Sequence, residues 1–95
     1  MPAPAIADIC SRLKQAQQLL RDPNNWKEAN ERIDEARDLL KPIRYQNPTT
    51  LAAWAALTEI AELLPLRSSD PEWAIDIAKG YLNLAIRELC SEEKK

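Results

Sequence analysis

The chain reads as an all-α protein, and three observations lead there. Apolar residues recur at helical spacing along most of its length. Strand and hairpin signals are sparse, with one Gly, no Phe and no Asn-Gly dipeptide. Asp22-Pro23, Asn47-Pro48 and Asp70-Pro71 each set an N-cap residue before a proline, the combination favoured where a helix begins. With Pro2 and Pro4 ahead of the first periodic segment, these dipeptides divide the chain into predicted helices near residues 5–21, 24–41, 49–64 and 71–91. Connections of about 3–7 residues favour antiparallel neighbours. The expected architecture is therefore a compact antiparallel four-helix bundle or a set of paired helical hairpins. Its 95 residues suit a single helical domain with one modest core.

In the first helix, Ile6, Ile9, Leu13, Ala16 and Leu20, with Cys10 at the edge, form an apolar stripe roughly 120° wide. The second is narrower. Trp26, Ala29, Ile33, Ala36, Leu40 and then Ile43 follow a heptad-like spacing, while Lys27, Glu28, Glu31, Arg32, Asp34, Glu35, Arg37 and Asp38 occupy the other side. This predicts a solvated outer helix with Glu28–Arg32 as a favourable i,i+4 pair and Asn25 with Glu28 as an optional capping box. In the third helix Leu57, Ile60 and Leu64 join Trp54 in the main stripe, which Ala52, Ala56 and Leu63 widen. The helix ends echo one another in "QLLRDP", "DLLKPI", "ELLPLR" and "ELCSEE".

The fourth segment, "PEWAIDIAKGYLNLAIREL", holds more apolar side chains than one helix face can carry. One ridge is Trp73, Ile77, Tyr81 and Leu84; a second is Ile75, Leu82, Ile86 and Leu89. Ala74, Ala78 and Ala85 lie between them. The apolar arc spans roughly 220°, about twice the stripe of a helix with one wet face, and Asp76, Lys79, Asn83 and Arg87 mark the narrow polar side. Either helices three and four sit centrally and cover this surface within the monomer, or one ridge meets a second chain. The second reading is the expectation: Ile75, Leu82 and Ile86 dock against a partner, with Trp73 and Leu89 completing the interface, and a self-complementary C2 dimer is the simplest form.

The composition bounds function by exclusion. Hydrophobic residues at 45% and a formal net charge of −2 suit a soluble globular protein without general affinity for phosphate backbones or anionic lipid. The start "MPAPAIADICSRLK" lacks a basic region followed by an apolar run, so cytoplasmic residence is expected. No apolar stretch nears the roughly 20 residues a bilayer span needs, since Glu59 and Glu62 interrupt the third helix. With no histidine the commonest general base and metal ligand are missing, and Gly80 alone builds no phosphate loop. No catalytic residue, metal or cofactor is therefore expected.

Cys10 and Cys90 fall at the same end of an up-down bundle. They are a candidate redox pair, although a reducing compartment favours two small, partly buried thiols. Trp26, Trp54 and Trp73 each sit on an apolar stripe and read as core residues, with Trp73 also suited to anchor a protein interface.

The predicted function is a non-enzymatic protein–protein interaction module, an adaptor, regulator, inhibitor or accessory subunit, docking through the fourth helix as a homodimer. Two alternatives carry less. Arg12, Lys14, Arg21, Lys41 and Arg44 could line a basic edge for nucleic acid, but no groove-reading element concentrates them. A small-ligand carrier would need a pocket between helices three and four. Leu13, Ala16, Leu20, Trp26, Ala29, Ile33 and Ala36 resemble the packing residues of a tetratricopeptide unit. Gln17 stands where that repeat has glycine, Pro42 is one place late, and residues 50–90 do not repeat the spacing. No function is taken from that family.

Overall fold

Four helices form where the periodicity and the prolines place them, each boundary within two residues of expectation: α1 (Ala3–Leu19), α2 (Trp26–Leu40), α3 (Pro48–Leu63) and α4 (Pro71–Cys90). The computed structural model describes the backbone of residues 3–64 and 71–90 and the side chains of residues 6–64 and 72–90. Among the described residues there is no strand. The predicted start at Asp70-Pro71 falls partly outside them, because Asp70 is not described.

A single spacing builds the core. Ile9, Leu13, Ala16 and Leu20 are buried in α1 and the residue that follows it, and Ala29, Ile33, Ala36 and Leu40 in α2. Ala53, Leu57, Ile60 and Leu64 repeat the pattern at α3, and Ala78, Leu82, Ala85 and Leu89 in α4. Every set runs i, i+4, i+7, i+11, the seam of helices packing a few tens of degrees from antiparallel. Each set closes on a leucine, and in α2 and α4 alanines alternate with branched side chains, so the facing layers interdigitate. α1 packs chiefly on α2 and α3 on α4, while α1–α4 and α2–α3 contacts close the ring. Extents of 41 × 21 × 18 Å match a two-by-two arrangement, since a helix with its side chains is about 10 Å across.

The α1–α4 register is fixed twice. Gln17 Nε2 donates to Asn83 Oδ1 at 2.6 Å. Two turns away, Cys10 and Cys90 are joined by a disulfide with Cα atoms 5.9 Å apart. Both pairs sum to the same residue total, as antiparallel helices in one register require. The expectation of two separate thiols is thereby corrected: the seam spacing that buries Ile9 and Leu89 also turns Cys10 and Cys90 toward each other.

Three local expectations need revision. Asp22 caps a single 3-10 turn, Pro23–Asn25, by accepting the Asn24 N–H at 3.0 Å, and α2 begins only at Trp26. Asn25 makes no side-chain cap, so the Asn25/Glu28 box does not form. Arg32 turns away from Glu28 and contacts Glu35 at 2.9 Å and Glu31 at 3.7 Å. Arg12 of α1 reaches the same carboxylate at 3.2 Å, so Glu35 bridges two guanidinium groups over the α1–α2 seam.

The start of α3 carries a device that the sequence reading missed. Asn47 Oδ1 accepts the Thr50 N–H at 2.9 Å, and Thr50 Oγ1 accepts the Asn47 N–H at 3.2 Å, a reciprocal capping box. The buried Thr50 hydroxyl also lies 2.9 Å from the Asn47 carbonyl and 3.1 Å from the Arg44 carbonyl, donating to one at a time.

Candidate docking face on the fourth helix

Helix α4 has α1 on one side and α3 on the other, and two neighbours bury a wider arc than one would. Ile75 (3% exposed), Leu82 (0%) and Leu89 (3%) are core residues of their own chain. Ile86 is half-buried and packs against the same cluster. The ridge expected to meet a partner thus points inward. Ala74, Ala78 and Ala85 make this possible: fully buried, they offer no bulk to hold neighbouring helices away from the ridge.

The surplus apolar surface lies on the other ridge. Trp73 is 49% exposed and Ile77, one turn later, is 39% exposed; Tyr81 and Leu84 are half-buried beside them. At 100° per residue, Trp73, Ile77, Gly80 and Leu84 fall within roughly 60° of one another, the span of a helix contact face. A shallow open depression of about 560 Å³ runs along it, lined by Asp76, Ile77, Gly80, Tyr81, Leu84 and Arg87.

Gly80 stands at the middle of this face and is the chain's sole glycine. Its backbone is helical, with no positive φ, and a Cβ added there would meet nothing within 4 Å. Neither conformation nor packing among the described residues calls for glycine. In a helix interior it is nonetheless less favourable than alanine by about 0.5–1 kcal/mol. A destabilising residue with no internal use, centred on an exposed apolar strip, suits close approach by another surface.

The other candidate features are structural. Arg37 and Arg44 stack on Trp54, with guanidinium carbons 5.2 and 4.9 Å from the ring centroid, and Arg44 also lies 4.8 Å from the Tyr45 ring. Trp54 is therefore a half-buried clasp between the end of α2 and α3, clad by cations. Two of the five residues of the proposed basic edge are engaged within the chain, Arg12 with Glu35 and Arg44 with these rings. A cavity bordered by Ile6, Ile43, Thr50 and Leu89, where the ends of α3 and α4 meet, holds about 130 Å³. Among the described residues no group of His, Cys, Asp or Glu is placed to hold a metal ion, and no helix is long and apolar enough to cross a membrane.

No family model, curated protein or solved structure matches this chain.

Proposed function

We propose that the protein is a non-enzymatic protein–protein interaction module, and that it docks through the outward face of α4 and forms a homodimer. The observation that carries this reading is the exposed pair Trp73 and Ile77 on a helix whose opposite face is wholly committed to the core. Burying the exposed remainder of these two side chains contributes roughly 1 kcal/mol each, a sizeable part of what a small domain has to spare. Gly80 and the depression beside it provide room for a close-packed helix. The charged outer side of α2 is left for electrostatic steering or for a second partner.

Light scattering and circular dichroism on Ile77→Glu and Leu82→Glu test the reading. The Ile77 variant is expected to stay helical and become lighter, whereas the Leu82 variant loses its fold because the charge enters the core. An Ile77 variant of unchanged mass would overturn it. Cytoplasmic residence belongs to the same proposal and sits uneasily with the Cys10–Cys90 bridge, because structural disulfides persist mainly in oxidising compartments. Thiol trapping in the native host, read by intact mass, decides between a permanent bridge and one that opens.

A further inference from the structure

We infer that the second copy packs antiparallel on α4, with the two-fold axis between Gly80 and Tyr81. The inference rests on the docking face proposed above and adds its register and orientation. In an antiparallel pair centred there, each residue meets the one whose number completes a sum of 161. Ile77 then lies against the partner's Leu84, and Gly80, near the centre of the strip, offers no side chain to hold the two helices apart.

The charges fit the same register. Asp76 and Arg87 are both exposed and lie on one flank of the strip, within roughly 20° of each other on the wheel. A two-fold axis perpendicular to the helices brings each flank beside its own copy, running the other way. Asp76 comes within two residue rises, about 3 Å, of the level of the partner's Arg87, and symmetry makes the contact twice. Within one chain the two are eleven residues apart, about 16 Å along the axis, too far to pair. A parallel arrangement would hold Asp76 and the partner's Arg87 eleven residue rises apart, about 16 Å, where they cannot pair. Antiparallel helices also align their macrodipoles favourably.

A charge swap tests this. Asp76→Arg and Arg87→Asp are each expected to weaken dimerisation about tenfold at low salt, since each removes two attractive contacts and creates two repulsive ones. The double variant restores it to within about threefold, because the pairs re-form with opposite polarity. Both residues are exposed, so circular dichroism should be unchanged throughout. Dimers indifferent to the single changes, or not rescued by the double, would overturn the register while Ile77→Glu still tests the face. An unmodified chain that is monomeric at every concentration would overturn both.

Discussion

Reducing the Cys10–Cys90 bridge is the sharpest perturbation available without changing a residue. The bond closes a loop with a sequence separation of 80. Chain-entropy reasoning gives a loss of about 15 cal/mol/K from the unfolded ensemble for such a loop, or about 4.5 kcal/mol at 25 °C, and measured bridges typically deliver 2–4 kcal/mol. A chain of this length has roughly 5–14 kcal/mol in total. Reduction should therefore leave a folded but much weaker bundle, because Cys10 and Cys90 are both buried and act as small apolar side chains once reduced. At about 4–8 °C per kcal/mol, even the lower figure lowers Tm by at least about 8 °C. Thermal unfolding by circular dichroism with and without a phosphine reductant reads the shift, and intact mass reports the two hydrogens gained. Cys10→Ala/Cys90→Ala should melt close to the reduced protein and be insensitive to reductant. Equal Tm values in protein shown by mass to be reduced would refute the reasoning.

Three further outcomes follow from particular contacts. Leu82→Ala empties a fully buried site and should destabilise the chain by about 2–5 kcal/mol in urea unfolding, whereas an interface residue would leave the dilute monomer unaffected. Gly80→Ala should stabilise the dilute chain by about 0.5–1 kcal/mol, because nothing lies within 4 Å of the new methyl, and should weaken self-association. Thr50→Ala removes half of the capping box and leaves its neighbours' polar groups without a partner; a loss of about 1–2 kcal/mol in chemical denaturation is expected, and no loss would mean the box is idle.

The helices were legible because periodicity and proline placement are local signals, and nothing in the tertiary structure opposes them. Which ridge of α4 faces inward was not, since Ile75–Leu82–Ile86 and Trp73–Ile77–Leu84 are equally apolar on a wheel. The choice depends on α1 and α3 lying on the alanine side, which is a property of the bundle. A better clue was present: Leu82 falls in the same i, i+4, i+7, i+11 set as Leu13, Ile33 and Leu57, and aligning all four helices by their terminal leucines would have placed it in the core. Gly80 also carries a signal in the sequence, an unforced weakness inside a helix. Thr50 carries no signal of its own, because its capping role exists only through its pairing with Asn47.

The α4 face is tested most directly by nuclear magnetic resonance of the unmodified chain during serial dilution. Gly80 offers a uniquely recognisable amide, since the sequence holds one glycine. Shifts that move with concentration at Trp73, Ile77, Gly80, Tyr81 and Leu84, with Ile75 and Leu82 nearly still, are the predicted result. Spectra identical at every concentration, or changes centred on the inner ridge, would contradict it.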